Sequence, residues 1–131
     1  VADIDLALVE IDETLACLAR VNADNNAIAA AVIVLDVEAE AASFAAAGLA
    51  PDSVDAVLMN PPFSEGRWRA HLEAAAARLA PGGRIVAVLP VSSVGKDLLP
   101  GFTLAWPRRF DGAFEGTQIP VVILTADKPR G

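Results

Sequence analysis

Cysteine, histidine and methionine occur once each in this chain of 131 residues, and tyrosine is absent. A lone cysteine, Cys17, excludes an internal disulfide framework and a zinc site built on cysteines. Long apolar runs are also absent. No stretch approaches the roughly 20 residues needed to span a bilayer. The opening residues show no charged-then-apolar leader pattern, so a cytoplasmic protein with no membrane partner is the expectation. Bases are scarce in one part of the chain: residues 1–60 hold eleven acids and only Arg20 on the basic side, a net −10. Residues 61–131 hold nine bases and six acids, a net +3. A total of −7 makes a poor non-specific polyanion binder, because neutralising phosphates drives that binding. The asymmetry still permits one basic face.

Apolar material is plentiful. The hydrophobic fraction is 54% and the charged fraction 21%, enough for one domain with a core, although much of it is alanine. Residues 4–9 (Ile-Asp-Leu-Ala-Leu-Val) read as a strand with an acid, Glu10, at its end. Asp12 suits an N-cap, since its carboxylate can accept from free N–H groups of a first turn. Leu15, Leu18 and Ala19 then follow helical spacing as an apolar face that takes in Cys17 as a small buried hydrophobe. Asn25-Asn26 stops that helix. Residues 30–35 form a continuous apolar run closed by Asp36, as in strands of a parallel sheet covered on both faces.

Residues 38–47 predict a helix ended by Gly48. Residues 54–59 read as a buried strand, 67–79 as a helix and 84–89 as a strand after the turn signal Pro81-Gly82-Gly83. A short helix over 92–98 and strands over 102–106 and 121–125 complete the chain. His71 falls on a helix as a surface residue, Trp68 and Trp106 are packing residues, and Gly112 and Gly116 are loop glycines. The alternation of strands and helices predicts an α/β fold, a mostly parallel Rossmann-like sheet with helices on both faces and an antiparallel C-terminal strand.

One stretch organises the whole. Asn60-Pro61-Pro62-Phe63 follows the strand at 54–59. Two prolines fix φ near −65° and offer no N–H, and Asn60 is driven extended by the proline after it. The chain leaves the strand stiffly, with one amide and one aromatic ring at the carboxyl end, where open α/β sheets bind ligands. Taken alone, Asn-Pro is a common turn starter, and Phe63 suits either a core or a stacking role.

The combination resembles a class I S-adenosylmethionine-dependent methyltransferase of the amino-methylating group. Leu8-Val9-Glu10-Ile11-Asp12 is similar to that family's second strand, Val32-Ile33-Val34-Leu35-Asp36-Val37 to its third, and Asp55-Ala56-Val57-Leu58-Met59-Asn60-Pro61-Pro62-Phe63 to its fourth with the catalytic NPPF motif. Leu79-Ala80-Pro81-Gly82-Gly83-Arg84 fits the turn before the fifth. The resemblance implies S-adenosyl-L-methionine as cofactor, with Glu10 on the ribose hydroxyls, Ile11 on the adenine face, Asp36 and the Val37 N–H on the adenine edge, and Asn60 at both the cofactor and the target. It implies Asn60, Pro61, Pro62 and Phe63 as the catalytic set, and the N6 amine of adenine in DNA or RNA ahead of the N5 amide of protein glutamine. A non-catalytic nucleotide-binding or scaffold domain is the alternative.

In the family the strand order is 3-2-1-4-5-7-6, and a Gly-x-Gly segment after the first strand holds the cofactor. Neither that strand nor that segment precedes residues 4–9. The expectation is therefore a single methyltransferase-like domain over residues 1–131 that is N-terminally incomplete. The first strand would be supplied by a longer gene product or by a partner chain.

Overall fold

The computed structural model describes residues 6–10, 13–26, 30–34, 48–111 and 120–131, in two compact units, 1–48 and 49–131. In the first unit, β1 (Leu6–Glu10) and β2 (Ala30–Val34) pair in parallel, Leu6 opposite Ala30 and Glu10 opposite Val34. Helix α1 (Glu13–Asn25) connects them and packs against both. Parallel neighbours need such a crossover. Asn26 ends α1, its backbone N–H and its Nδ2 both donating to the Asn22 carbonyl, at 3.2 and 2.8 Å.

The buried face of α1 is not the expected one. Ala16 and Ala23 are buried, whereas Leu15 and Leu18 are about half exposed and Cys17 is exposed. Small side chains fill the buried positions, and the leucines and the thiol stay exposed. The expected helix at 38–47, the Asp12 cap and the loop glycines Gly112 and Gly116 lie outside the described residues.

The second unit is a four-stranded sheet in the order β3-β4-β6-β5. Its strands are β3 (Val54–Met59), β4 (Leu79–Pro90), β5 (Thr103–Phe110) and β6 (Val121–Asp127). β3 and β4 are parallel, and β6 runs antiparallel to both β4 and β5. That sequence of neighbours is the 4-5-7-6 half of the expected order. Helix α2 (Arg67–Arg78) makes the crossover from β3 to β4.

Trp68, Leu72 and Ala76 recur every four residues on α2 and are buried against Ile85, Ala87 and Leu89 of β4 and Val122, Leu124 and Ala126 of β6. Alternation along β4 and β6 puts those six on one sheet face. Each fully buried leucine there contributes roughly 1.5–3 kcal/mol of transfer free energy. Trp68 is a core residue and Trp106 packs against the core, whereas His71 is half-buried rather than fully on the surface.

The carbonyls that end α2 are all engaged. Leu79 N–H donates to Ala75 and Ala76, Asp52 N–H to Ala77 at 3.1 Å, and Ser53 N–H to Arg78 at 2.9 Å. Lys128 Nζ adds bonds to the Ala76 and Leu79 carbonyls, at 3.2 and 2.7 Å, and to Asp52 Oδ1 at 2.8 Å. A helix end buried against a sheet needs such partners.

Two strands depart from expectation. β3 pairs with β4 alone among the described residues and is an edge strand, so its apolar composition is only half used. Leu58 is 82% exposed while Val57 and Met59 pack on the core. β4 begins at Leu79, not Arg84. Leu79 pairs with Val54 and Arg84 with Ala56, so the intervening residues bulge out between the two pairings. The Pro81-Gly82-Gly83 turn signal is realised inside a strand, with Gly82 at φ +82°.

Candidate active site

Register brings three chain segments to one edge of the four-stranded sheet. Asn60 follows the carboxyl end of β3. Pro90 ends β4, faces Val121 at the start of β6, and Val121 in turn faces Phe110 at the end of β5. The Asn60-Pro61-Pro62-Phe63 stretch therefore lies beside the tight turn Val91–Ser93, which the Val91 N–H ties to the Pro120 carbonyl at 3.2 Å.

Within the stretch the four residues divide their exposure. Pro61 is buried, Asn60 and Pro62 are exposed, and Phe63 is half-buried with its ring against the core cluster. Phe63 has helical φ/ψ (−91°, −21°), and its carbonyl accepts from Gly66 N–H at 3.3 Å, closing a tight turn that delivers the chain into α2. Gly66, at φ +69°, takes the left-handed conformation that lets this turn meet the helix. Among the described residues no hydrogen bond engages the Asn60 side chain or the Pro61 carbonyl. The Asn60 side chain is exposed to an incoming donor, whereas Pro61 is buried.

Beside Asn60 is an open cavity of about 330 Å³, lined by Leu58, Met59, Val86, Ala87 and Val88 as well as Asn60. Parallel pairing makes its floor, with Leu58 opposite Val86 and Met59 opposite Ala87. Asn60 supplies the one side-chain amide of an otherwise apolar lining. The β4 residues of this floor were not legible as site residues. The signal for them was indirect: a strand parallel to β3 must end next to it, so whatever follows Ile85 becomes a neighbour of Asn60. Ser93, in the turn after β4, is fully buried, and its Oγ has no hydrogen-bond partner among the described residues.

Of the residues assigned to the cofactor, all but Asn60 lie in the first unit. Glu10 is the last residue of β1, so its acid stands at the carboxyl end of a parallel strand. Ile11, Asp36 and Val37 lie outside the described residues. An acid at the end of a parallel strand is the acceptor that ribose hydroxyls require, and to that extent the chain fits an S-adenosyl cofactor. Among the described residues no cluster of His, Cys, Asp or Glu could hold a metal ion, and no helix is long and apolar enough to cross a membrane.

Comparison with known proteins agrees with this geometry. The family model "Methyltransferase small domain" matches residues 1–100. No curated protein matches the sequence. Among solved structures, a predicted O-methyltransferase of Agrobacterium tumefaciens superposes with a TM-score of 0.68 at 23% identity, over 96% of this chain and 64% of that one. An rRNA methylase of Streptococcus thermophilus gives 0.61 at 13% identity, over 95% and 74%. An S-adenosylmethionine-dependent O-methyltransferase of Thermotoga maritima gives 0.61 at 17% identity, over 95% and 50%. At these identities the likeness is one of fold, and this chain spans about two thirds of the first structure's length. With most of its sequence matched by the family model and its sheet shared with these enzymes, the chain belongs to the methyltransferase small-domain family.

Proposed function

We propose that this chain carries the catalytic half of an S-adenosylmethionine-dependent N-methyltransferase whose target is an exocyclic amine, adenine N6 of DNA or RNA first. One observation carries the reading: Asn60 stands exposed, with its amide unengaged, on a proline-stiffened exit from a parallel strand, flanked by Phe63 and an apolar cavity.

An amine conjugated to an aromatic ring has its lone pair delocalised and must become more tetrahedral to attack. The Asn60 side-chain oxygen and the Pro61 carbonyl can each accept one of its N–H bonds. Placed where positive charge develops on that nitrogen, the two acceptors stabilise the transition state more than the ground state. Phe63, half-buried, keeps part of its ring available for a base taken out of its stack. Bound S-adenosylmethionine supplies the methyl group from its sulfonium. As the N–C bond forms and the S–C bond breaks, the amine becomes cationic and then releases a proton to water. No strong general base is needed, consistent with a stretch that holds neither His nor Cys. Glu10, Ile11, Asp36 and Val37 are proposed to hold the nucleoside part of the cofactor.

A second reading keeps the same acceptors and changes the target to the N5 amide of a protein glutamine. The net charge of −7, which repels a polyanion, is the observation in its favour. Incubating the full-length protein with labelled cofactor and with DNA, tRNA, rRNA and protein pools separates the two. Label in a nucleic acid pool supports adenine, label in protein supports glutamine, and label in neither sinks both. For mechanism, Asn60→Ala should lower methyl transfer at least about 10²-fold, the scale of removing one transition-state contact. Cofactor affinity measured by calorimetry should fall far less, since Glu10, Ile11, Asp36 and Val37 remain. Retained activity would remove Asn60 from its role.

A further inference from the structure

Four arginines gather at the sheet edge that carries Asn60. Arg108 and Arg109 lie at the end of β5, and Phe110 beside them faces Val121, which faces Pro90. Arg67 and Arg69 occupy the first turn of α2, just after the chain leaves β3. Arg67 lies 3.9 Å from Glu65, and Arg109 is bonded to Asp111 at 2.9 Å. Arg69 and Arg108 pair with no carboxylate among the described residues. Each instead lies over an aromatic ring, Arg69 at 5.3 Å from the Trp68 centroid and Arg108 at 5.9 Å from that of Phe110.

At the opposite edge Arg84 is bonded to Asp127 at 2.6 Å and Lys128 to Asp52 at 2.8 Å, so these two cations are satisfied internally, while Arg130, beside Gly82, pairs with no carboxylate among the described residues.

Arg69 enters from the first turn of α2 and Arg108 from near the end of β5, so two separate elements bring cations to this end of the sheet. A guanidinium resting on a ring keeps its planar fork of donors directed outward, the geometry that grips a phosphate. The rest of the molecule discourages a polyanion: residues 1–48 hold nine acids and one base, a net −8, against eight acids and nine bases, a net +1, in residues 49–131.

We infer that this edge is a phosphate-binding rim, on which Arg69 and Arg108 hold the backbone of a single-stranded nucleic acid substrate. The inference rests on the nucleic acid reading above and deepens it. A short basic rim on a chain of net charge −7 makes binding local, so the strand is held where its base can reach Asn60.

Fluorescence polarisation of full-length protein with a labelled, adenine-containing single-stranded oligonucleotide, across a salt series, tests it. Arg69→Gln and Arg108→Gln should each weaken binding several-fold and make the plot of log K against log salt shallower by about 0.7, the loss of one single-strand phosphate contact. Arg84→Gln, on the opposite edge, should leave both quantities unchanged. Circular dichroism melts would confirm that all three variants fold. If the wild type binds and methylates the oligonucleotide while both rim variants match it in affinity and slope, the rim is wrong and the nucleic acid reading stands. If the wild type neither binds nor methylates the oligonucleotide but labels a protein pool, the reading fails and takes the rim with it.

Discussion

Asp127 and Arg84 face each other across β6 and β4 and share a two-pronged bond, Nε to Oδ1 at 2.6 Å and Nη2 to Oδ2 at 3.0 Å. The hydrogen bonds from Arg84 hold the Asp127 carboxyl below the ordinary carboxylate range, and the same pair raises the Arg84 guanidinium above its own. A carboxyl with a lowered folded pKa contributes stability above its unfolded pKa, and loses that contribution as pH falls through the folded value. Arg84 stays charged throughout and adds no pH dependence. Both groups are exposed, and exposed pairs contribute little. The carboxyl resonance of Asp127 followed by NMR should therefore titrate below the ordinary range and return to it in Arg84→Gln, with hardly any change in melting temperature. An Asp127 midpoint unmoved by Arg84→Gln would show that the pair does not form in solution. At this scale the sequence is informative where chemistry is local. Asn60 could be singled out because its neighbours are prolines. The Arg84–Asp127 pair could not, because its members are 43 residues apart and meet only through strand register.

Elements were more legible than their ends and faces. The strand at 54–59 has the bounds that pattern predicts, and the helix starts at Arg67 as expected and ends at Arg78, one residue short of the expected 79. β4 shows where local signals stop. Pro81-Gly82-Gly83 marks a break in regular backbone, but nothing local says that Leu79 already pairs with Val54 before the break. Tertiary contact makes a bulge out of what reads as a turn. Gly83 is needed there for space. A Cβ would stand 2.8 Å from the Asp55 carbonyl oxygen and 2.8 Å from Leu79 Cγ, a main-chain atom on one side and a fully buried side chain on the other. Neither can give way cheaply, so Gly83→Ala should destabilise the fold by about 1–3 kcal/mol, the usual cost of overpacking. Urea unfolding of the variant measures it, and an unchanged midpoint would mean that the bulge yields freely. The apolar face of α1 departs from periodicity too: periodicity ranks leucines above alanines, whereas the buried side chains among the described residues of α1 are Ala16 and Ala23.

At the scale of the molecule, the alternation of strand and helix was enough to predict parallel pairing, because crossover connections admit little else. The insertion of β6 between β4 and β5 was not legible from local pattern and came only with the family resemblance. The two units differ in what holds them. Residues 49–131 centre on large side chains, with Leu72, Leu79, Ile85, Leu89 and Leu124 almost wholly buried between α2 and one sheet face. In α1 the buried positions are Ala16 and Ala23, which remove little apolar area from water, while Leu15, Leu18 and Val21 remain about half exposed. Since hydrophobic stabilisation scales with apolar area removed from water, opening α1 costs less than opening β4 from β6. Native-state hydrogen exchange should follow that ranking. Amides of Ile85, Ala87, Leu89, Val122, Leu124 and Ala126 should exchange slowest, near the global unfolding limit, with those of α1 faster by at least an order of magnitude. Protection of α1 equal to that of β4 would show the chain to be one cooperative unit, and would mean that apolar area in the core of residues 49–131 does not set the local ranking.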